Sequence, residues 1–216
     1  PPVLPLAALW AHQLFKTKII FVSYDVYPEV AYASNSLRDN CAIAKVMQRL
    51  NRSLFRHADS VVALTEEMRE FLLEHRPELS ADRIVTISNW AHEEKTGNKS
   101  AARAELGYTD EDFVVAYFGN LGICQDETAL IQAMEQLAEH KKIKFLIAGH
   151  GSKMPELRRA AQHLPNVRIC DFLTGAAFEQ AVAASSCGIV SLERGLSGMC
   201  APSKYYSYLQ GGLPVL

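Results

Sequence analysis

The chain has 216 residues, 49% of them hydrophobic, and a formal net charge of -2. This size allows one large domain or two small ones, each with a real core, and the small negative charge argues against a protein that neutralises a nucleic-acid backbone. The five cysteines are scattered without a Cys-x-x-Cys pair, which favours reduced thiols over a disulfide or metal role. No apolar run reaches about 18 residues, and we expect a soluble, cytoplasmic protein.

The first elements are a helix and a strand. Apolar spacing predicts a helix from Leu4 to Phe15, and the apolar opening of the chain could pack under the first sheet or lie on a bilayer surface. Lys18 to Ser23 predicts a buried strand. Because ligands gather at the carboxyl ends of parallel strands, Asp25, Tyr27 and Glu29 just beyond it are candidate site residues if the sheet is parallel, with an ordinary turn as the alternative.

A long helix with one basic face follows. It is predicted from Leu37 to His57, with apolar residues on the opposite face. A solvated surface is the ordinary explanation of such charge, and an anionic acceptor or a lipid headgroup is the alternative. The basic residues are Arg38, Lys45, Arg49, Arg52 and Arg56.

Alternating strands and helices then continue to a polar segment. Asp59 to Thr65 predicts a strand, Thr65 is a suitable N-cap for the next helix, and Arg83 to Ile87 predicts another strand. This alternation indicates a doubly wound α/β fold. His92 to Lys99 has charge and glycine but no core residue, which is typical of a linker between domains.

The central strand of the second half is the apolar run from Phe113 to Phe118, which we expect to be buried on both faces. It ends at a glycine turn, residues 119–122, and helical spacing resumes at Ala129. A free helix N-terminus at such a turn binds anions well. Further alternation predicts strands at 144–148, 166–170 and 188–192 and helices at 154–164 and 178–185.

Three blocks in this half carry a family resemblance. They are Gly119-Asn-Leu-Gly122, Ala148-Gly-His-Gly151 and the stretch from Ala201 through Pro-Ser-Lys204 to Leu216, preceded by Asp25-Val-Tyr-Pro-Glu29 and Ile87-Ser-Asn-Trp90. In this order they resemble the retaining GT-B glycosyltransferases of family four, most of all the bacterial surface-polysaccharide and amino-sugar transferases. The resemblance covers nearly the whole chain.

The resemblance implies two Rossmann-like doubly wound units, both incomplete. Residues 1–95 would be the C-terminal part of an acceptor-side domain, and residues 96–216 the N-terminal part of a donor-binding domain. The implied reaction moves a sugar from a UDP- or GDP-linked donor to a saccharide or lipid-linked acceptor with retention, in cell-surface polysaccharide or glycolipid synthesis. We expect this fragment alone to turn over poorly, and we expect peripheral contact with the inner face of a membrane as a further possibility.

The resemblance also implies site residues. Asp25 would lie near the transferred sugar, and Lys204 would stabilise the leaving diphosphate, because a cation at a helix start opposes the dipole unless an anion is nearby. No metal or other cofactor is implied. The implied donor-binding residues are Gly119, Asn120, Gly122, Gln125, Gly149, Gly151, Phe172, Leu173, Arg194, Ser203 and Ser207.

Three departures from the family pattern leave alternatives open. Gln125 stands at a usually basic position, and Met199 and Ser207 replace a pair of glutamates. These changes are either typical of a subgroup of the family or a sign of weakened donor binding. The rival interpretations are a non-catalytic nucleotide-sugar-binding or scaffold protein and a nucleotide-sugar epimerase with the same fold. A dinucleotide dehydrogenase is disfavoured because no Gly-x-Gly-x-x-Gly follows a predicted strand.

Overall fold

The computed structural model describes residues 4–38, 41–90 and 97–216. The chain divides into two compact units, Pro1–Asn89 with Arg194–Ala201 and Trp90–Glu193 with Pro202–Leu216. The predicted boundary between residues 95 and 96 lies outside the described residues. The sequence places the segment 194–201 in the second unit, whereas its contacts group it with the first. The assignment of the units to acceptor and donor stays a prediction.

The first unit contains a three-stranded parallel sheet in the order β1-β2-β3. Ser23 pairs with Ala63, and Ala63 pairs with Thr86, so the carboxyl ends of the strands meet at one edge. The elements are α1 Leu4–Phe15, β1 Ile20–Ser23, α2 Glu29–Ala33, α3 Ala42–His57, β2 Ser60–Ala63, α4 Glu66–His75 and β3 Ile84–Thr86. As predicted, Thr65 caps α4, with its hydroxyl accepting from Met68 N–H at 3.1 Å.

Burial in the first unit is one-sided. Phe21 packs against the core formed with α3 and α4, but its neighbours Ile20 and Val22 are 68% and 42% exposed. Side chains alternate across a strand, so the strand predicted here as buried is present but is buried on only one face. The helix α1 also differs from a buried helix, because Trp10 and Phe15 are 69% and 75% exposed.

The second unit contains a four-stranded parallel sheet in the order β6-β5-β4-β7. Helices alternate with these strands, which confirms the α/β fold class. The elements are α5 Lys99–Glu105, β4 Phe113–Asn120, α6 Glu127–Gln136, β5 Ile143–His150, α7 Met154–Ala161, β6 Val167–Cys170, α8 Gly175–Ala184, β7 Cys187–Gly188 and α9 Lys204–Gln210.

The predicted strand from Gly188 to Leu192 is wrong, since β7 ends at Gly188. The backbone around β7 is bonded on both edges. Ile189 N–H donates to the Ala116 carbonyl oxygen of β4 at 2.8 Å, and on the other edge Gly188 forms a parallel bridge with Val215 and Val190 N–H donates to the Leu216 carbonyl oxygen at 2.9 Å. The described hydrogen bonds of this stretch to β4 and to residues 214–216 end at Val190, which is why the strand is shorter than predicted.

The central strand β4 is the scaffold of the second unit. Its residues from Val114 to Phe118 are buried, as predicted, although Phe113 at its start is half exposed. The fully buried Tyr208 of α9 accepts a hydrogen bond from Phe118 N–H through its hydroxyl at 2.7 Å. This bond fixes α9 against β4.

The strand ends of β4 and β5 approach closely at two glycines. Gly119 and Gly149 are register partners, and a Cβ added to Gly149 would lie 1.9 Å from the Gly119 carbonyl oxygen. Gly119 itself has φ of +108°, a conformation that side chains disfavour. The glycine turns are therefore required by backbone packing, whatever ligand they also meet.

Replacing Gly149 with alanine is expected to lower the free energy of unfolding by about 3 kcal/mol, because the new methyl group overlaps the Gly119 carbonyl. Urea unfolding of the full-length protein measures the change. Gly97→Ala is the matched control, since a Cβ there meets only the Ala183 Cβ at 3.6 Å. Equal stability of the two variants would show that the approach is not tight.

Candidate functional site

The most distinctive charged group of the second unit is Lys204, at the start of α9. Its ammonium donates to the Tyr117 hydroxyl at 3.1 Å and to the Asn120 carbonyl oxygen at 3.3 Å, and it lies 4.6 Å from the Tyr117 ring centroid. It forms no ion pair with any carboxylate of the described residues. Burial lowers the pKa of Lys204 to about 8. A partly desolvated cation without a counter-charge is suited to an anionic ligand.

The position of Lys204 follows from its neighbours. Tyr208, four residues later in α9, is bonded to β4, and the Tyr117 hydroxyl donates to the Asn120 carbonyl oxygen at 2.9 Å. The Lys204 Cε lies 3.9 Å from the place that a Gly119 Cβ would occupy. The predicted proximity of Lys204 to the first glycine turn is therefore present in the structure.

The glycine turn itself is braced by a side chain. Gln125 Oε1 accepts from Gly122 N–H at 2.8 Å, and Gln125 N–H donates back to the Gly122 carbonyl oxygen at 3.2 Å. Asn120 packs beside Gly122, with its Nδ2 at 2.9 Å from an added Gly122 Cβ. The N–H of Gly122, expected to face the diphosphate, is already in use.

The start of α6 carries acidic groups. Asp126 caps the helix by accepting from Ala129 N–H at 2.9 Å, and carboxylate oxygens of Asp126, Glu127 and Glu193 lie within 4.8 Å of one another. Lys153 places its ammonium 2.5 Å from both Glu127 and Glu193. Although burial alone would lower it, these hydrogen bonds raise the pKa of Lys153. This arrangement differs from the open anion site expected at this helix start.

Lys153 is a residue that the sequence did not single out. It follows the second glycine turn, and its ammonium also donates to the Gln125 carbonyl oxygen at 2.6 Å. The sequence could have pointed to Lys153 only by its position, two residues after Gly151. Gly151 has φ of +133°, and an added Cβ would lie 2.3 Å from the Leu121 carbonyl oxygen, so this glycine too has a packing role.

One triplet in the sequence has the Asp-x-Asp spacing of some metal-dependent transferases, Asp110-Glu111-Asp112. In the structure Asp112 accepts from the Thr109 N–H and hydroxyl at 2.7 and 2.8 Å, and Glu111 pairs with Lys142 at 2.7 Å. The triplet precedes β4, at the opposite end of the strand from Lys204. It acts as a capped turn.

An aromatic pair lies at the end of β5 and just beyond β6. Phe172 is 53% exposed, and its ring meets the His150 ring edge-on, with centroids 4.9 Å apart. Leu173 packs against the core that contains Phe118. An exposed aromatic surface at this edge is suited to a nucleotide base. His150 was not among the predicted residues; its place between Gly149 and Gly151 was the only signal.

The remaining predicted donor residues are dispersed. Ser203 is exposed and precedes α9 without capping it through its side chain, and Ser207 is half-buried within α9. Arg194 is exposed and belongs to the segment that groups with the first unit, so the structure does not bring it together with Lys204 in one unit.

In the first unit, Asp25 follows β1 as predicted. Its backbone forms an antiparallel bridge with Cys200, and Val26 N–H donates to the Met199 carbonyl oxygen at 2.7 Å. Neighbouring protein partly encloses the carboxyl although the residue remains exposed, and this burial raises the pKa of Asp25. Met199, at a family glutamate position, packs against the core.

Comparison with known proteins finds similar glycosyltransferases. The Glycosyl transferase 4-like domain matches residues 1–90. Probable glycosyltransferase WbjE of Pseudomonas aeruginosa is 26% identical over 92% of this chain and 50% of its own length. Putative colanic acid biosynthesis glycosyl transferase WcaI of Escherichia coli is 24% identical over 79% of this chain and 43% of its own length. The chain thus spans about half the length of the curated relatives it matches.

Solved structures share the fold. Anabaena HepE, crystallised with UDP and glucose, has a TM-score of 0.74 and 16% identity over 100% of this chain and 56% of its own. The lipopolysaccharide glycosyltransferase WaaG has a TM-score of 0.67 and 13% identity over 91% of this chain and 55% of its own. The first 90 residues are thus similar to the Glycosyl transferase 4-like domain, the chain is similar to two curated glycosyltransferases, and it shares the GT-B fold of the solved structures.

Proposed function

We propose that the chain is part of a retaining glycosyltransferase that moves a hexose from a UDP- or GDP-linked donor to a saccharide or lipid-linked acceptor during cell-surface polysaccharide or glycolipid synthesis. The observation that carries the proposal is Lys204, a partly desolvated ammonium beside the first glycine turn with no carboxylate partner among the described residues. The colanic acid relative and HepE, whose crystals contain UDP and glucose, support the substrate class.

In the proposed reaction, the bond between the anomeric carbon and the diphosphate oxygen breaks, and its electron pair stays on the diphosphate. The acceptor hydroxyl oxygen forms the new bond on the same face of the sugar, and its proton passes to the departing diphosphate. Lys204 offsets the charge that develops on the leaving group, which is worth more in a desolvated site than in water. The exposed ring of Phe172 would contact the base.

Asp25 is proposed to hold a hydroxyl of the transferred sugar. A carboxylate can accept two or more hydrogen bonds from hydroxyl groups, and the Asp25 backbone is fixed by its bridge to Cys200. A scaffold function is the second candidate, because the Gly122 N–H already donates a hydrogen bond to the Gln125 side chain. The two functions differ in whether a bound donor is consumed.

Replacing Lys204 with methionine is expected to weaken UDP binding by about tenfold or more, because a charged hydrogen bond to phosphate is lost. Lys204 is charged below its pKa of about 8 and neutral above it, so the affinity of the unaltered protein for UDP should fall as pH rises through 8. Calorimetric titration of the full-length protein across this range measures both effects.

Lys204→Arg is the matched control, since guanidinium stays charged throughout this range. Its affinity for UDP should not decline above pH 8. Unchanged UDP binding in Lys204→Met, or a pH-independent affinity in the unaltered protein, would remove the observation on which the donor site depends.

Replacing Asp25 with asparagine is expected to slow sugar transfer by about a hundredfold, because asparagine keeps the shape but loses the charge. UDP affinity should stay within about twofold, since the proposed contact is with the sugar. Product analysis with and without acceptor distinguishes the alternatives. Sugar epimerised without acceptor indicates the epimerase, and a bound donor that is never consumed indicates the scaffold.

We also propose peripheral attachment of the protein to the cytoplasmic face of a membrane. The helix α1 packs on α3 and exposes large apolar side chains, among them Trp10, Leu14 and Phe15. The neighbouring α3 exposes Lys45, Arg49 and Arg56. Apolar side chains beside basic ones suit an anionic lipid surface. No helix of the described residues is long and apolar enough to cross a bilayer.

Trp10→Ser is expected to weaken binding of the full-length protein to phosphatidylglycerol vesicles by about tenfold, because the largest exposed apolar side chain of α1 is lost. Vesicle co-sedimentation measures the change. Gln13→Ser, a polar replacement on the same helix, should leave binding within about twofold. Equal binding of both variants, or no preference for anionic over neutral vesicles, would refute attachment through α1.

A further inference from the structure

The segment 194–201 lies between β7 and α9 in the chain but packs with the first unit. Cys200 forms an antiparallel bridge with Asp25, and the Met199 carbonyl oxygen accepts from Val26 N–H at 2.7 Å. The Met199 side chain also packs against the core of the first unit. The backbone that carries Asp25 is therefore held by residues that come from the second half of the chain.

The contact of this segment with α4 is tight at Gly198. A Cβ added to Gly198 would lie 2.9 Å from the Glu67 carbonyl oxygen and 3.2 Å from the Phe71 Cβ. The first of these atoms belongs to the backbone of a packed helix, which cannot turn aside as the end of a flexible side chain could. A side chain at position 198 would therefore push the segment away from α4, and with it the residues bonded to the Asp25 loop.

Gly195, three residues earlier, provides an internal comparison. Both glycines have positive φ, +86° at Gly195 and +73° at Gly198, so alanine strains the backbone at either position. A Cβ at Gly195, however, would meet no atom of the described residues within 4 Å. The two positions thus separate backbone strain from the loss of the contact with α4.

The other end of the Asp25 loop is held from within the first unit. The Tyr27 carbonyl oxygen accepts from Asn51 Nδ2, and from Arg76 Nη2 at 3.3 Å. The loop is thus held from two sides. The side that carries Asp25 is the one bonded to the segment 194–201.

We infer that the segment 194–201 is a positioning element for Asp25, and that Gly198 is the residue that lets this segment dock on α4. The inference rests on the proposed function for the role of Asp25 in sugar transfer. Positioning matters because a displacement of about 1 Å can slow a reaction about a hundredfold. The Asp25 site is then complete only when residues from both halves of the chain are in place.

The test compares Gly198→Ala with Gly195→Ala in the full-length protein, each with and without Asp25→Asn. Turnover is the release of UDP or GDP from UDP-glucose, UDP-galactose or GDP-mannose, expressed per binding site for that nucleotide so that unfolded molecules do not count. Gly198→Ala should slow turnover about tenfold when Asp25 is present. It should slow turnover less than about twofold in the Asp25→Asn background, because the segment acts through that carboxylate.

Gly195→Ala is the matched control. It should slow turnover less than about twofold in either background, since it strains the backbone without disturbing the contact with α4. The affinity for UDP should stay within about twofold in both glycine variants. An unchanged affinity with a slower turnover separates positioning of Asp25 from damage to the donor site.

A second measurement does not depend on turnover. Val26 N–H is bonded to the Met199 carbonyl oxygen, so its hydrogen–deuterium exchange reports whether the segment is docked. Exchange at Val26 should become about tenfold faster in Gly198→Ala and change less than about twofold in Gly195→Ala.

A further variant loosens the segment without adding atoms, in case Gly198→Ala does not fold. Met199→Ala removes a side chain that packs against the core, and it should also accelerate exchange at Val26. Ser197→Ala, at an exposed position of the same segment, should leave exchange within about twofold.

Three results would overturn the inference. Equal slowing of turnover by Gly198→Ala and Gly195→Ala would attribute the effect to backbone strain alone. Undiminished slowing by Gly198→Ala in the Asp25→Asn background would show that the segment acts through another group. Unchanged exchange at Val26 in Gly198→Ala would show that docking does not depend on this glycine.

The exchange measurement also separates this inference from the proposed function. If the unaltered protein consumes none of the three donors, the proposed function fails. Faster exchange at Val26 in Gly198→Ala, with exchange unchanged in Gly195→Ala, would then still support positioning of the Asp25 loop by the segment 194–201.

Discussion

The close approach of backbone at Gly119 and Gly149 is the constraint on which the second unit depends. The two strand ends can lie side by side only because Gly149 carries no side chain, and Gly119 contributes a positive φ that other residues disfavour. This packing directs the Asn120 carbonyl toward Lys204 and sets His150 beside Phe172. The hydroxyl of Tyr208 completes the arrangement by holding α9 on β4. Motifs associated with ligand binding therefore serve first to assemble the sheet edge.

Much of the fold was accessible from sequence, because buried parallel strands and amphipathic helices have clear periodicities. The central strand β4 and the Thr65 cap are examples. The failures have physical causes. The strand from Ile20 to Ser23 was predicted to be buried, but Ile20 and Val22 are exposed and only the face that carries Phe21 packs on the core. The bridge between Gly188 and the distant Val215 is not revealed by any local pattern.

The site was predicted less completely than the fold. The sequence predicted a role for Lys204, because a lysine at a helix start opposes the helix dipole unless an anion is nearby. The structure places Lys204 beside the expected glycine turn. The observed roles of Gln125 and Lys153 were not predicted from the sequence, because both depend on contacts between segments that meet only in the folded chain. Gln125 braces Gly122, and Lys153 neutralises carboxylates that come from two separate segments. Sequence periodicity does not reveal which side chains from distant segments will contact each other.

The environment of Lys204 couples occupancy of this site to the protonation of the protein. With a pKa of about 8, a fraction of empty molecules carries a neutral amine in mildly alkaline solution. An arriving diphosphate favours the ammonium, so a proton would be taken up from the buffer and returned when the diphosphate leaves. The heat of association would then vary with the ionisation enthalpy of the buffer, in proportion to the fraction of molecules that take up a proton.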